Sequence, residues 1–379
     1  MFNIKKNHYI NLVLFLLILF FLSGCFIFPY GSLYIISNPP GARIFLNGVD
    51  TGKVTPALID NIYRGSHTIY LTLDNPAMSK TELVVVERGQ TTSVNIELLA
   101  ETRYRALLVG IDKYKEPGVM NLIAPPYDVD RIEQVFERAH FGDRKVSFSV
   151  LNTLVGAQAT RSNIFEGITS TFSQAGNDDV SYFYYSGHGW VKDGKSTILP
   201  HDAKNFDDSK DITVEELAEA LGSIPGTKIV IMDACYSGGF IGKELYSWGI
   251  AGSEGLQEFN ANVIDTFASY DLFGLESVKG NLATQGFQVI VSATGNQQCF
   301  ETINPHPLDG NPYGYFSRFL CEGCGYNSFN FPYPADQNRN RKVTINEIYQ
   351  YICTEISHTH VKQDAQVYPL NSSFTFIEY

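Results

Sequence analysis

The chain has 379 residues and a formal net charge of −12, with 18% charged and 13% aromatic residues. An acidic chain with scattered Lys and Arg lacks the basic face that a nucleic-acid partner requires. Its apolar and aromatic content is that of folded domains, not of a disordered tail.

Lys5 and Lys6 open the chain, Leu12 to Leu22 is aliphatic and aromatic, and Leu22-Ser23-Gly24-Cys25 follows. A positive start and a short apolar core predict a targeting segment over residues 1–24. The alternative, a retained helix from Tyr9 to Phe28, would carry Asn11, Ser23, Gly24 and Cys25 within its span. The tetrapeptide resembles a bacterial lipobox. That implies a signal peptide over 1–24 and lipidation of Cys25, and more than one acyl chain gives stable anchoring. The expected location is the cell envelope, lipid-anchored on its extracytoplasmic face. Removing residues 1–24 takes away two lysines and no acid, so the charge moves from −12 to −14.

Residues 31–98 alternate apolar and polar with frequent turn residues, as in Leu33-Tyr34-Ile35-Ile36 and His67-Thr68-Ile69-Tyr70-Leu71. Asn47-Gly48 between Leu46 and Val49 predicts a hairpin. The run Pro39-Pro40-Gly41-Ala42 through Asn47-Gly48 and Thr51-Gly52-Lys53 resembles a PEGA-type β-sandwich module, although Pro40 precedes Gly41-Ala42 where that name implies glutamate. Such a module would serve as a stalk holding the rest of the chain off the membrane, or would bind an envelope polymer.

From residue 103 onward the pattern changes. It predicts a strand at Ala106–Ile111, a helix near Asp128–Arg138, a strand near Val146–Leu151 and a helix near Arg161–Phe172. A strand into His188, a helix from Thr213 and a strand into Cys235 follow, the helix start marked by the capping box Thr213-Val214-Glu215-Glu216. Such alternation predicts an α/β fold, a mostly parallel sheet flanked by helices. From Phe240 to about Gln285 no clear period remains, which reads as a long functional loop.

Val180-Ser181-Tyr182-Phe183-Tyr184-Tyr185-Ser186-Gly187-His188-Gly189 and Lys228-Ile229-Val230-Ile231-Met232-Asp233-Ala234-Cys235-Tyr236-Ser237-Gly238-Gly239 are apolar runs that stop in glycine. Open α/β sheets carry their chemistry at the carboxyl ends of strands, so Cys235 is the candidate nucleophile and His188 its base. A cysteine after an apolar strand is more often a core residue, but here glycines beyond it leave room for a substrate backbone. His201 lacks the glycine frame, and His358 with His360 makes only a two-ligand pattern.

Tyr-Ser-Gly-His-Gly and Asp-Ala-Cys-Tyr-Ser-Gly-Gly are similar to segments of the caspase/metacaspase superfamily, nearer to metacaspases and bacterial caspase-like enzymes than to animal caspases. The resemblance runs from about Arg103 to the end and includes Arg105–Ile111, Val291-Ser292-Ala293-Thr294 and Gly314-Tyr315-Phe316-Ser317. It implies a caspase-like peptidase domain over 103–379 acting on protein or peptide substrates, with an oxyanion held by the amides of Gly189 and Cys235. It also matches Asp233 to the pocket aspartate that holds Arg or Lys before the cut in metacaspases. Asp128 falls at a second acidic position, with Tyr127 departing from the family pattern, and Asp202 at a third. The alternative for Asp233 is a turn aspartate stabilising its loop. The long stretch after Cys235 resembles an activation segment; Lys243 and Lys279 are its only Lys or Arg before Arg318, which suggests self-cleavage.

Residues 336–347 have the spacing of a twelve-residue calcium loop, with Asp336, Asn338, Asn340, Thr344 and Glu347 as oxygen ligands and Lys342 offering a carbonyl. Arg341 stands where glycine is usual, and Thr344-Ile345-Asn346-Glu347 also reads as a capping box for a helix over Ile345–Ile356. Metacaspases often need calcium at a different site, so the resemblance also implies Ca²⁺. Cys299, Cys321, Cys324 and Cys353 remain as structural thiols or disulfides with three possible pairings. Two other readings stay open. One is a surface binding or scaffold protein whose domain does not cut; the other is an aspartate-specific peptidase, which would need a basic pocket.

Overall fold

The structure, a computed structural model, describes residues 29–379 apart from 75–76, 101, 143–144, 193–194, 204–209, 237–258, 278–285, 295–296, 298 and 327–332. Cys25 and the 1–24 segment therefore lie outside the described residues. The chain divides into two compact units, Met1–Glu101 and Thr102–Tyr379. Among the described residues no helix is long and apolar enough to cross a membrane.

The first unit contains β1 (Tyr30–Asn38), β2 (Arg43–Leu46), β3 (Val49–Val54), β4 (Ala57–Tyr63), β5 (Gly65–Asp74), β6 (Ala77–Val86), β7 (Thr91–Glu97) and β8 (Leu99–Ala100). They form a three-stranded sheet, β4-β1-β7, and a five-stranded sheet, β3-β2-β5-β6-β8. Period-two alternation sends Leu33 and Ile35 of the first and Ile44, Ile69 and Leu71 of the second into one buried core. Asn47 and Gly48 both have positive φ, 50° and 80°, which is the backbone of the expected hairpin turn.

The second unit is built on β9 (Tyr104–Gly110), β10 (Phe148–Val155), β11 (Val180–Lys192), β12 (Lys195–Ile198), β13 (Ile212–Thr213), β14 (Thr227–Tyr236) and β15 (Phe287–Val291). Short strands β16 (Glu301–Thr302), β17 (Tyr313–Gly314), β18 (Lys342–Thr344), β19 (Gln366–Tyr368) and β20 (Thr375–Glu378) follow. The main sheet runs β10-β9-β11-β14-β15-β19, parallel except at β19. Alternate strand residues face opposite layers. Ala106 and Leu108 pack with α1 (Pro125–Glu137), α5 (Tyr315–Gly323) and α6 (Ile345–Ser357). Leu107 and Val109 pack with α2 (Arg161–Phe172), α3 (Val214–Gly222) and α4 (Phe259–Ser277). The expected α/β fold with helices on both faces is what forms.

Local signals placed several helices well. Thr213 with Glu216 and Thr344 with Glu347 form complete capping boxes, opening α3 and α6. Helix α1 starts before the expected Asp128, because Pro125 and Pro126 occupy first-turn positions whose amides have no intrahelical partner. Strand β10 is displaced from the expected 146–151. Val146 instead bridges Phe141 across a turn in which Lys145 has φ 56°. The 240–285 stretch is not loop throughout: α4 occupies 259–277, and Phe259, Val263 and Phe267, four apart, are buried on one helical face. Strand β11 also runs on past Gly189 to Lys192, because β12 folds back to pair Gly189 with Ile198.

Candidate active site

His188 and Cys235 are direct partners in the parallel ladder between β11 and β14. Neighbouring strands lie about 4.8 Å apart, so ladder register alone makes these two residues neighbours.

The backbone of His188 is held from two sides by tyrosines. Its N–H donates to the Tyr114 hydroxyl at 2.8 Å, and its carbonyl lies 2.7 Å from the Tyr185 hydroxyl. The Tyr114 ring also sits against the imidazole, centroids 4.9 Å apart. Nε2 is 2.7 Å from the Met120 carbonyl. A carbonyl only accepts, so Nε2 carries the hydrogen and Nδ1 keeps the lone pair. Burial lowers the imidazole pKa from 6.5 to about 4, with the Met120 bond partly opposing it. His188 is therefore a neutral imidazole at pH 7, suited to accept a proton. A side chain on Gly189 would meet the Phe259 ring at 2.6 Å, so glycine is required where α4 closes on this strand.

Two buried carboxylates converge beside this pair on the α1 and α5 side of the sheet. Asp233 precedes Cys235 by two residues, and Asp128 lies in the first turn of α1. A Cβ built on Gly314 would stand 2.9 Å from Asp233 Oδ2 and 3.0 Å from Asp128 Oδ2. The Gly314 N–H donates to Asp128 at 3.2 Å. Ser317 donates to Asp233 and accepts from the Tyr184 hydroxyl at 2.7 Å.

Desolvation pushes the Asp233 pKa up to about 6, against hydrogen bonds from Ser317 and Ser292. Asp128 is raised well above the usual carboxylate range by desolvation and then by Asp233, with Arg131 opposing. Arg131 is fully buried; it donates to Asp128 at 3.0 Å, to both oxygens of Asp309, and to the carbonyls of Asn311 and Pro312. Although desolvation works the other way, the Arg131 bond and two further donors hold Asp309 down to about 2. The guanidinium thus has its own carboxylate in Asp309, and Asp128 and Asp233 together carry negative charge in excess.

Asp202 is not part of this group. Its Oδ1 accepts from the Arg161 N–H at 2.8 Å and Oδ2 lies 3.4 Å from Lys210 Nζ. It thereby serves the start of α2, on the opposite face of the sheet from Asp128, and acts as a helix-end carboxylate.

In the 336–347 loop, Asp336 accepts from the amides of Asn340 and Arg341 and from the Tyr379 hydroxyl. Asn338 and Asn340 accept from the amides two residues on, and Arg341 has φ 69°, the conformation usual for glycine at that position. Glu347 takes the Thr344 cap and the Asn338 side-chain amide at 2.6 Å. No group of three or more His, Cys, Asp or Glu among the described residues is arranged to hold a metal ion. Cys321, Cys324 and Cys353 are free thiols, and Cys299 Sγ lies 2.7 Å from the Ser292 hydroxyl.

His188, Cys235, Asp233 and Asp128 were legible in the sequence, while Met120, Tyr114, Arg131 and Asp309 were not. The only signal near the missed groups was the Gly314–Ser317 segment.

A family model described as Caspase domain matches residues 103–375, and one described as PEGA domain matches residues 30–102. No curated protein matches the chain. Among solved structures, protein GSU0716 from Geobacter sulfurreducens is similar at 18% identity, with TM-score 0.44, covering 73% of this chain and 97% of that one. Caspase-1 from Spodoptera frugiperda is similar at 14% identity, with TM-score 0.44, covering 73% and 90%. The Drosophila initiator caspase Dronc follows at 10% identity, with TM-score 0.40, covering 72% and 81%.

Proposed function

The chain belongs to the caspase-domain family of cysteine peptidases, and from that premise we propose that it cuts peptide bonds after Arg or Lys through Cys235 and His188. The observation that carries the basic preference is the buried pair Asp128 and Asp233, whose charge Arg131, shared with Asp309, does not balance. A desolvated carboxylate pair selects a cation strongly. The same arrangement speaks against an aspartate-specific site, since Arg131, the cation beside the pair, already serves the carboxylates of Asp128 and Asp309.

In the proposed reaction His188 Nδ1 takes the thiol proton as Cys235 sulfur attacks the scissile carbonyl. The amides of Gly189 and Cys235 would stabilise the oxyanion. His188 then delivers that proton to the leaving amine, and water, deprotonated by the same nitrogen, hydrolyses the thioester. Throughout, the Met120 carbonyl accepts from Nε2–H and keeps the ring oriented.

The proposal also has the chain lipidated at Cys25 on the extracytoplasmic face of the envelope, with the PEGA unit as a stalk or a binder of envelope polymer. Calcium enters at the 336–347 loop, where Asp336, Asn338, Asn340, Thr344 and Glu347 would supply side-chain oxygens and Lys342 a carbonyl. The backbone of the loop supports this, and the Asn338–Glu347 bond would have to open on binding.

The test is hydrolysis of peptides that differ only in Arg, Lys or Asp before the cut, for wild type and Cys235→Ala. Cleavage after Arg and Lys, lost in Cys235→Ala, is expected. Cleavage after Asp would refute the pocket, and no cleavage would favour a binding or scaffold role.

A further inference from the structure

Glu301 opens β16, pairs with Gly314 of β17, and is exposed. Its carboxylate nevertheless has a defined task. Oε2 accepts from the amides of Ile123 at 3.0 Å and Ala124 at 2.9 Å, and Oε1 is 3.2 Å from the Ile123 amide. These amides stand just ahead of α1, whose N-cap Ala124 receives no side-chain cap of its own and whose next residues are prolines. A carboxylate is electrostatically favourable at such a helix start.

The same stretch of backbone holds the carbonyl that orients His188. Between buried Val119 and Ala124, the Met120 side chain is 60% exposed and that of Ile123 44% exposed. Neither is anchored by packing, so backbone hydrogen bonds must locate the Met120 carbonyl. Those bonds are Val119 N–H to the Glu116 carbonyl upstream and, just downstream, Leu122 N–H to the Asp112 carbonyl. The next two amides downstream, those of Ile123 and Ala124, are tied by Glu301.

We propose that Glu301 is a positioning residue for His188: by gripping the Ile123 and Ala124 amides it fixes the Met120 carbonyl, which in turn fixes the tautomer and plane of the imidazole. This rests on the reading of His188 as the base for Cys235. Glu301 makes no bond to the imidazole, so its effect belongs to turnover, not to substrate affinity.

Two readouts on the full chain separate this inference from that reading. The first is peptide hydrolysis by wild type, Glu301→Ala and Glu301→Gln. In Glu301→Ala, kcat falls about 10- to 100-fold, the scale of loss that a misplaced catalytic group produces, with KM nearly unchanged. Glu301→Gln keeps an acceptor oxygen and restores most of the loss. The second is the ¹⁵N spectrum of labelled histidine in a Cys235→Ala background, with the His188 resonance identified through His188→Gln. Wild type shows the Nε2–H tautomer, and Glu301→Ala shows a mixture of tautomers.

An unchanged tautomer in Glu301→Ala, or a loss confined to KM, overturns the inference. So does a glutamine variant as impaired as the alanine one. Should wild type cleave no peptide, the function proposal fails, and the tautomer measurement still decides the role of Glu301. A melting curve for each variant confirms that folded protein is being compared.

Discussion

Substituting Gly314 by alanine probes the acidic pair directly. Gly314 has φ −78° and ψ 135°, an extended backbone open to any residue, so alanine brings no backbone strain. Its methyl would stand 2.9 Å from Asp233 Oδ2, closer than real Cβ contacts allow, and 3.0 Å from Asp128 Oδ2, tighter than most, so both carboxylates must give by a few tenths of an ångström. Neither moves freely. Asp233 is tied to Ser317, and Asp128 to Arg131 and the Gly314 amide. Overpacking of this kind costs about 1–3 kcal/mol, partly offset by about 0.4–1 kcal/mol from stiffening the unfolded chain.

The net stability loss expected from a urea melt is therefore no more than about 2.5 kcal/mol, small enough for the fold to survive. The effect on function is larger. A hydrogen bond to a charged group contributes about 1.5–3 kcal/mol, so losing one from the substrate cation lowers kcat/KM roughly 10- to 150-fold. The assay is kcat/KM for a peptide with Arg before the cut, set against the same peptide with citrulline, which keeps the shape without the charge. Wild type should prefer Arg strongly and Gly314→Ala weakly. Undiminished Arg preference in a folded Gly314→Ala protein would refute the placement of the substrate cation between these carboxylates.

The Asp233 pKa, raised by desolvation to about 6, gives two pH predictions. Between the unfolded carboxylate value and about 6 the folded state holds the extra proton, so stability falls as pH rises through that window and is level above it. Relative to Asp233→Asn, wild type should lose about 1–3 kcal/mol between pH 4 and 6.5 in denaturant melts. Because a cation needs the ionised form, kcat/KM for Arg peptides should rise through about pH 6, and a flat profile there would count against Asp233 as a ligand. Asp202→Asn should leave the Arg preference intact and cost at most about 1 kcal/mol, since it removes a charge at a helix start; a changed preference would return Asp202 to the pocket. Calcium added after chelation should raise the melting temperature of wild type and not of Asp336→Ala, and equal shifts would place any bound ion elsewhere.

What could be read from sequence was local or periodic. Both capping boxes depend on residues three apart, and both formed. His188 and Cys235 end apolar runs, and ladder register makes them partners. The missed features act across long separations or through backbone atoms. Arg131 meets Asp309 178 residues away, and Glu301 reaches amides 177 and 178 residues away. Met120 works through a carbonyl, which every residue possesses, so no side-chain pattern advertises it. Asp202 was joined to the pocket by resemblance alone, and its partners, the Arg161 amide and Lys210, are not visible in the local sequence pattern. Helix α4 was hidden by polar residues around a sparse stripe of Phe259, Val263 and Phe267.

The pairing of β14 with β15 has a mechanical consequence. Lys228 to Met232 bond in register with Phe287 to Val291, while Lys243 and Lys279 lie in the chain between those strands. Severing the chain at either lysine would not part the two pieces, because five rungs of ladder and the burial of Phe259, Val263 and Phe267 still join them. The nicked protein would run as two bands on a denaturing gel and as one peak on a native sizing column. One piece would bring His188, Asp128 and Cys235, the other Glu301, Gly314 and Ser317. A cut would thus exchange a covalent tether for freedom of the new ends, without dismantling the sheet that keeps the two sets of residues together.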